Sequence, residues 1–250
     1  MKTIIITGAT SGFGIETARL LAKDNKLILL ARRESILAKL KSELDDNGSI
    51  YTATVDVRDK NQVDEFYKNL PEQFRSIDVL INNAGLAKGM NPAQDTNLED
   101  WDVMVDTNIK GLLYITRGAL EIMKLRGIGH IINIGSVAAK VPYNGGNVYG
   151  ATKAFVAQFS RNLRTDLFAT GIKITNLEPG AAETEFAAVR FEDQEKAKEF
   201  YAGWQPLHAI DIANTIEWII NQPQNVSIEN IEIMPLDQTY GGLLTNKKSM

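Results

Sequence analysis

A tyrosine and a lysine stand four residues apart in the segment Tyr149-Gly150-Ala151-Thr152-Lys153. Residues at positions i and i+4 share one face of a helix, so the phenol and the ammonium would be neighbours there. A free tyrosine has a pKa of ~10, and a nearby cation stabilises the phenolate and lowers that pKa. The pair could therefore transfer a proton to or from a substrate oxygen. The spacing alone is also compatible with an ordinary surface helix.

Two further polar residues precede this pair along the chain. Ser136 lies just past the apolar run 131–134. If that run is a strand, the hydroxyl lies at the carboxyl edge of the sheet, where open α/β folds bind ligands. Asn108 lies in a stretch expected to be helical, although an amide is a poor helix former. It could equally be a surface residue whose hydrogen bonds are satisfied.

A glycine-rich turn follows the first apolar run, in the segment Thr7-Gly8-Ala9-Thr10-Ser11-Gly12-Phe13-Gly14. Gly8 permits a tight turn, while Gly12 and Gly14 let the backbone approach a ligand and a helix begin. The free N–H groups and positive end of that helix would face an anion, such as the phosphates of a dinucleotide. This GxxxGxG spacing differs from the GxGxxG fingerprint but uses the same physics. Many strand–helix turns carry glycine, so the turn alone is not specific.

The end of the second apolar run indicates which dinucleotide would bind. NAD sites carry an acidic residue there, which bonds the ribose 2′-hydroxyl. Here the run 26–31 leads into Arg32 and Arg33, whose guanidinium groups attract a 2′-phosphate. The sequence therefore predicts NADP as the cofactor. The alternative is that both arginines are solvated surface residues.

Apolar runs alternate with amphipathic stretches along the chain. Strands are predicted at 2–7, 26–31, 51–55, 77–81, 130–134, 173–177 and 231–234, and helices at 13–23, 34–44, 60–70, 98–125, 148–169, 195–202 and 211–221. Such alternation implies parallel strands joined by right-handed crossovers, and continuous apolar strands imply helices on both faces. We predict one Rossmann-type, doubly wound α/β domain over residues 1–250, with a mainly parallel seven-stranded sheet. The tail 246–250 is expected to be loose.

The composition excludes several classes of function. The 250 residues include no cysteine, which rules out disulfides, thiol nucleophiles and cysteine–zinc sites and suits a cytoplasmic protein. Two histidines, His130 and His208, are too few for a multi-histidine metal site, so no metal is expected. The net charge of -4, with mixed signs along the chain, predicts no nucleic-acid partner. No apolar run approaches the ~20 residues that span a bilayer, so no membrane partner is expected.

Taken together, the motifs resemble those of the short-chain dehydrogenase/reductase family across almost the whole chain. The resemblance rests on motifs that occur in family order: the glycine turn, Asn82-Asn83-Ala84-Gly85, Asn108, Ser136, Tyr149-x-x-x-Lys153 and Pro179-Gly180. It implies that Tyr149 exchanges a proton with the substrate oxygen and that Ser136 hydrogen-bonds the same oxygen. It also implies that Lys153 lowers the pKa of Tyr149 and holds the nicotinamide ribose. Asn108 would position a water that connects Lys153 to solvent.

The resemblance further implies contacts with the cofactor. Asn83, Ala84 and Gly85 would line its ribose, while Asp56 and Val57 would meet the adenine. A segment after the sixth predicted strand would close over the nicotinamide: Pro179, Gly180, Ala181, Ala182, Glu183, Thr184, Glu185 and Phe186. Residues 181–205 would then form a substrate lid.

Some segments are similar to those of one branch of the family, the NADP-dependent 3-hydroxy acid dehydrogenases. They include Gly129-His130-Ile131-Ile132-Asn133-Ile134-Gly135-Ser136 and Pro142-Tyr143-x-Gly145-Gly146-Asn147-Val148-Tyr149. This resemblance implies a small 3-hydroxy acid as substrate and a homotetramer. A substrate carboxylate needs a cation or several donors, and we predict Arg190 as its contact, with Asn144 and Asn147 as further polar contacts. Arg190 could instead be a surface or interface arginine.

Two other functions remain open from the sequence. The first is a carbonyl reductase of the same family that acts on a 3-oxoacyl thioester or a pterin, which shared catalytic residues cannot distinguish. The second is a non-catalytic NADP-binding sensor on the same fold, because a fold does not determine a function. The presence of Asn108, Ser136, Tyr149 and Lys153 together favours an enzyme.

Overall fold

Seven apolar runs pair into one parallel sheet in the computed structural model, which describes residues 1–241 and 244–247. The strands in chain order are β1 (Thr3–Thr7), β2 (Lys26–Ala31), β3 (Ile50–Thr54), β4 (Val79–Asn82), β5 (Gly129–Ile134), β6 (Ile172–Pro179), β7 (Ala182–Glu183), β8 (Leu207–His208) and β9 (Asn230–Ile233). The main sheet has the order β3-β2-β1-β4-β5-β6-β9, and β7 pairs with β8 separately. The pairings between these nine strands are all parallel, which confirms the predicted fold class.

Helices connect the strands and cover the sheet. They are α1 (Gly12–Leu21), α2 (Glu34–Leu44), α3 (Lys60–Lys68), α4 (Leu98–Val105), α5 (Leu112–Arg126), α6 (Asn147–Asp166), α7 (Glu185–Phe191), α8 (Gln194–Tyr201) and α9 (Ala209–Ile220). A π-helical turn, Asp106–Gly111, joins α4 to α5. Of the helices in the described ranges, none is long and apolar enough to cross a membrane.

The side chains of the apolar strands belong to two separate buried clusters, one on each face of the sheet. Ile4 and Ile6 of β1 belong to one buried cluster, whereas Ile5 between them belongs to the cluster on the other face. In the same way Leu29 of β2 packs on one side and Ile28 on the other. Successive side chains of a strand point to opposite faces, so a sheet covered on both sides needs apolar residues at every position. This explains why these strands are continuous apolar runs.

The strand order places a crevice beside β1. The chain leaves β1 for β2 on one side and returns to β4 on the other. Ligands of open α/β sheets bind at this reversal, outside the carboxyl ends of the strands. The glycine turn after β1 lies at this point.

Three parts of the chain differ from the sequence-based expectation. The predicted helix 98–125 is interrupted at Asp106–Gly111 by the π-helical turn. Helix α7 and the β7–β8 pair were not predicted, although Thr184 provides a signal because its Oγ1 accepts the Phe186 N–H at 3.1 Å and begins α7. In the tail expected to be loose, the Asn246 N–H donates to the Asp237 carbonyl oxygen at 2.7 Å. Residues 248–250 of that tail lie outside the described residues.

Candidate active site

A cavity of about 570 Å³ opens at the carboxyl ends of β1, β4, β5 and β6. Its wall brings together the glycine turn, the ends of three strands, the start of α6 and the helix α7. The predicted site residues that line it are Gly8, Ser11, Gly12, Phe13, Asn83, Ala84, Gly85, Ser136, Asn144, Tyr149, Lys153, Pro179, Gly180, Ala181, Ala182, Thr184, Glu185, Phe186 and Arg190. The other predicted residues lie outside the lining: Ala9, Thr10, Gly14, Arg32, Arg33, Asp56, Val57, Asn108, Asn147 and Glu183.

The glycine turn has the geometry of a phosphate cradle. Gly8 and Gly12 have φ of 65° and 48°, in the left-handed region that favours glycine. A Cβ on Gly14 would lie 2.3 Å from the Gly8 carbonyl oxygen, so only glycine fits there. Ser11 precedes α1 without a side-chain cap hydrogen bond, which leaves the first N–H groups of the helix for a ligand. The turn therefore fits a dinucleotide pyrophosphate.

Asn83 holds the glycine turn in place from the neighbouring strand. Its Nδ2 donates to the Thr7 carbonyl oxygen at 2.9 Å and to the Gly8 carbonyl oxygen at 3.2 Å. The Thr7 hydroxyl in turn accepts the N–H groups of Asn83 and Ala84 at 3.0 and 2.9 Å. The side-chain amide of Asn83 thus braces the ends of the neighbouring parallel strands β1 and β4.

Arg33 lies beside the cradle at the end of β2. Its Nη2 and Nε donate to the Thr10 carbonyl oxygen at 2.8 Å and the Thr10 hydroxyl at 3.3 Å. Its Nη1 lies 3.1 Å from Glu185 Oε2 at the start of α7. Arg32 next to it is exposed. The Arg33 guanidinium therefore lies against the glycine turn, close enough to serve one end of a dinucleotide bound there.

Asp56 does not present a free carboxylate to this end of the crevice. The Arg58 Nε lies 2.9 and 3.0 Å from the two carboxylate oxygens of Asp56. The hydrogen bond from Arg58 lowers the pKa of Asp56, so the pair stays ionised and mutually neutralised. A 2′-phosphate nearby would thus meet little repulsion from Asp56. Val57 packs under the π-helical turn, where a Cβ on Gly111 would lie 2.6 Å from Val57 Cγ2.

Ser136, Tyr149 and Lys153 converge on one side of the cavity. Ser136 begins the 3-10 turn Val137–Ala139, and its Oγ accepts the Ala138 N–H at 3.1 Å. Burial raises the pKa of Tyr149 well above its usual value, whereas the hydrogen bond with Ser136 and the positive charge of Arg190 lower it. The burial effect is the largest, so the phenol is protonated at neutral pH and can donate a hydrogen bond to a substrate oxygen.

Lys153 is buried beside Tyr149 on α6. Its Nζ donates to the Ile134 carbonyl oxygen at 2.8 Å and lies 5.8 Å from the centre of the Tyr149 ring. Burial lowers the pKa of Lys153 itself to about 8.

The buried ammonium of Lys153 predicts a pH-dependent stability in the absence of cofactor. An unfolded lysine has a pKa of ~10.4, so between about pH 8 and 10 the unfolded state binds more protons than the folded state. The contribution of Lys153 to the free energy of unfolding therefore rises with pH in this window. We expect denaturant unfolding of Lys153→Met to show a smaller rise than the wild type. An equal rise in both proteins would contradict the lowered pKa.

Asn108 is locked by hydrogen bonds inside the π-helical turn. Its Nδ2 donates to the Leu86 carbonyl oxygen at 2.8 Å and to the Thr152 hydroxyl at 3.0 Å, and its Oδ1 accepts the Leu86 N–H at 2.9 Å. These bonds join the β4 end to α6, which carries Tyr149. Asn108 is only 2% exposed, which excludes the alternative of a surface residue. Widened helical turns of this kind often occur at functional sites.

Arg190 reaches over Tyr149 from α7. Its Cζ lies 5.5 Å from the centre of the Tyr149 ring and 5.3 Å from that of Tyr143. Its Nε donates to the Gly89 carbonyl oxygen at 3.1 Å, and its Nη2 to the Gly145 carbonyl oxygen at 3.4 Å. Throughout 1–241 and 244–247, no carboxylate forms an ion pair with Arg190. Its positive charge is thus available to an acidic ligand in the cavity.

The two asparagines predicted as substrate contacts have different environments. Asn144 is exposed and lines the cavity. Asn147 faces away, because its Oδ1 accepts the Trp101 Nε1–H at 3.2 Å and its Nδ2 donates to the Asn91 carbonyl oxygen at 3.2 Å. The structure therefore brings Asn144 to the site and assigns Asn147 to the packing of α6 on the loop before α4.

Several lining residues were not predicted from the sequence. Among them are Met90, Tyr143, Tyr201, Gln238 and Lys247. Tyr143 lies between Ser136 and Tyr149 in sequence, and this proximity is a signal that could have identified it. Nothing in the residue types around Gln238 indicates that its Oε1 accepts the Ala181 N–H at 2.9 Å and closes the wall of the cavity.

Known proteins resemble this chain over nearly its full length. A sequence model of the family described as "short chain dehydrogenase" matches residues 2–195. The NADP-dependent 3-hydroxy acid dehydrogenase YdfG of Escherichia coli strain K12 is 47% identical over 248 residues, which cover 98% of this chain and 99% of that protein. The serine 3-dehydrogenase of Agrobacterium fabrum is 46% identical over 250 residues, 99% of each chain. A solved closed form of serine dehydrogenase complexed with NADP+ superposes with a TM-score of 0.94 at 46% identity, covering 98% of this chain and 99% of that one.

Proposed function

Because the chain belongs to the short-chain dehydrogenase family, we propose that it oxidises the 3-hydroxyl of small 3-hydroxy acids with NADP+, or catalyses the reverse reduction. Serine, allo-threonine and 3-hydroxyisobutyrate represent this substrate class. The relatives named as 3-hydroxy acid and serine dehydrogenases support the reaction and the cofactor. The observation that carries the substrate class is the guanidinium of Arg190, which lies above Tyr149 without a carboxylate partner in the described part of the chain.

The geometry suits a substrate in which one carbon separates the hydroxyl-bearing carbon from the carboxylate. With that carboxylate on Arg190, the 3-hydroxyl reaches the side of the cavity where Ser136 and Tyr149 lie. Bound NADP+ accepts the hydride that leaves carbon 3. In the oxidation the hydroxyl proton passes to the phenolate form of Tyr149, and Ser136 hydrogen-bonds the same oxygen while it becomes a carbonyl. In the reverse direction the protonated phenol of Tyr149 supplies the proton.

Initial rates of NADP+ reduction test this function. Serine, allo-threonine, 3-hydroxyisobutyrate and 3-hydroxypropionate are compared with a neutral secondary alcohol, and NAD+ is compared with NADP+. We expect turnover of the acids with NADP+ and little turnover of the neutral alcohol. Turnover of the neutral alcohol alone would contradict the substrate class and favour a carbonyl reductase. Absence of turnover combined with tight NADP+ binding would favour a non-catalytic sensor.

We expect the Arg32→Ala/Arg33→Ala double variant to raise the KM for NADP+ about 10- to 100-fold and to change the KM for NAD+ little. A charge-assisted hydrogen bond to a phosphate contributes roughly 1.5–3 kcal/mol. NAD+ has no 2′-phosphate and makes no such bond, so the substitutions should change its KM little. Arg117→Ala is a matched control, because Arg117 is an exposed arginine on α5. Equal increases in both KM values would overturn the 2′-phosphate role.

The domain organisation forms part of the same proposal. Residues 1–250 would act as one catalytic domain, with 181–205 as the substrate lid. The Gly89 N–H donates to the Arg190 carbonyl oxygen at 2.8 Å, and Lys88 pairs with Glu192, so α7 is tied to the opposite wall of the cavity. Limited proteolysis with and without NADP+ tests the lid. If the cofactor orders residues 181–205, it should protect them from cleavage.

We also propose a homotetramer in the cytoplasm. On α6 the rings of Phe155 and Phe159 stack at 5.7 Å while both remain partly exposed, which supports a further helix packing there. Light scattering of the purified protein tests the assembly, and a monomer would contradict it. Cell fractionation tests the location.

A further inference from the structure

A fully buried carboxylate lies behind the catalytic serine. Glu178, near the end of β6, is 0% exposed. The Lys140 Nζ lies 2.5 Å from its Oε2, and the side-chain amides of Asn176 and Asn230 donate to its two oxygens at 2.9 and 3.1 Å. A buried charge is stable only when it is paired and hydrogen-bonded, so these four side chains form one unit. The unit has no role in the chemistry described above.

Lys140 and Ser136 lie at the two ends of one short turn. The Ala139 N–H donates to the Ser136 carbonyl oxygen at 3.0 Å, and the Lys140 N–H donates to the Val137 carbonyl oxygen at 3.1 Å. Because this 3-10 turn is tight, a displacement of Lys140 is transmitted to the backbone that carries the Ser136 hydroxyl. The ion pair with Glu178 therefore fixes one end of the turn to β6.

The other side of Ser136 rests on the same unit. A Cβ on Gly135 would lie 2.5 Å from Asn176 Oδ1 and 3.1 Å from Glu178 Cγ, so these side chains pack directly against the backbone before Ser136. Pro179, the residue after Glu178, accepts the Ser136 hydroxyl with its carbonyl oxygen at 3.5 Å. Glu178 thus touches the segments on both sides of the serine.

We propose that the buried Glu178–Lys140 pair is a positioning device that sets the Ser136 hydroxyl against the substrate oxygen. This inference rests on the proposed function, in which Ser136 binds that oxygen. Neither Glu178 nor Lys140 lines the cavity, so the pair touches no substrate and acts through the serine.

The test is a double-mutant cycle between Glu178→Gln and Ser136→Ala, measured on the full-length protein with its 3-hydroxy acid substrate. We expect Glu178→Gln alone to lower kcat on the order of 10- to 100-fold, the cost of a small misplacement of a catalytic group, with the KM for NADP+ unchanged. In the Ser136→Ala background the same change should lower kcat by less than about twofold, because its target is gone. A purely structural role would lower kcat equally in both backgrounds.

Variants of Lys140 provide an independent test if the Glu178→Gln variant does not fold. Lys140→Met should reproduce the loss and the same dependence on Ser136, whereas Lys140→Arg keeps the cation and should restore most of kcat. Glu232→Gln is the matched control, because Glu232 also pairs with Lys140, at 3.1 Å, but lies outside the buried unit. It should keep kcat near the wild-type value.

The outcomes separate this inference from the proposed function. A Ser136→Ala variant with low kcat, combined with equal effects of Glu178→Gln in both backgrounds, overturns the positioning role alone. A fully active Ser136→Ala variant overturns the proposed role of Ser136 and the inference with it. A loss that disappears in the Ser136→Ala background supports both.

Discussion

Tyr149→Phe should lower kcat by about 10²- to 10⁴-fold while leaving the Kd for NADPH nearly unchanged. The change removes only the phenolic O–H, which is the group proposed to exchange a proton with the substrate oxygen. The ring remains to pack against Phe186, whose ring centre lies 5.6 Å away, so the cavity should keep its shape. Steady-state kinetics and cofactor titration measure the two quantities separately.

Tyr67→Phe is the matched control for this experiment. Tyr67 is partly buried, its hydroxyl donates to the Ile115 carbonyl oxygen at 2.7 Å, and neither residue lines the cavity. Its loss should cost about 0.5–1.5 kcal/mol of stability and leave kcat intact. A Tyr149→Phe variant that retains most activity would exclude the phenol as the acid/base.

Arg190→Met should lower kcat/KM for 3-hydroxy acids about 10²-fold and change kcat/KM for a neutral carbonyl compound much less. A charge-assisted, two-pronged contact with a carboxylate contributes up to about 3 kcal/mol, and methionine keeps part of the packing on Tyr143 and Tyr149. Arg190→Lys should recover part of the loss, since lysine restores the charge without the planar fork. A substrate panel with both classes of compound measures the difference.

The neutral substrate is the necessary control, because Arg190 also donates to the carbonyl oxygens of Gly89 and Gly145. Loss of these bonds could open the wall of the cavity and would then impair every substrate alike. Arg164→Met provides a second control, since Arg164 pairs with Glu229 on the surface. Parallel losses for acids and neutral compounds would reject carboxylate recognition by Arg190.

Much of the fold was predictable because local patterns and global structure agree. Glu34–Leu44 and Lys26–Ala31 have the predicted bounds, since a charged helix start and a continuous apolar run leave few alternatives. Short elements were missed for the opposite reason. The strands β7 and β8 have two residues each, and they exist because Ala182 and Leu207 meet in space.

The same distinction holds for the site, where local spacing predicts some features and long-range contacts determine the others. Spacing alone brings Tyr149 and Lys153 to one helix face, and the end of a strand brings Ser136 to the sheet edge. The pKa of Tyr149 could not be read from that spacing, because burial outweighs the neighbouring charge. The orientation of Asn147 was also unpredictable, since it depends on Trp101 of α4 and on Asn91 in the loop before that helix.

The sequence by itself determined the α/β class and the glycine turn, and it named the side chains proposed to be catalytic, because each depends on local residue patterns. The tertiary structure alone decided that Arg190 faces Tyr149 and that Lys140 and Glu178 meet behind Ser136. These contacts join residues from separate strands, turns and helices, and their distances depend on the path of the whole backbone. Local residue patterns contain no information on such paths, so the sequence could name Arg190 as a candidate contact, but only the fold gives its position over Tyr149.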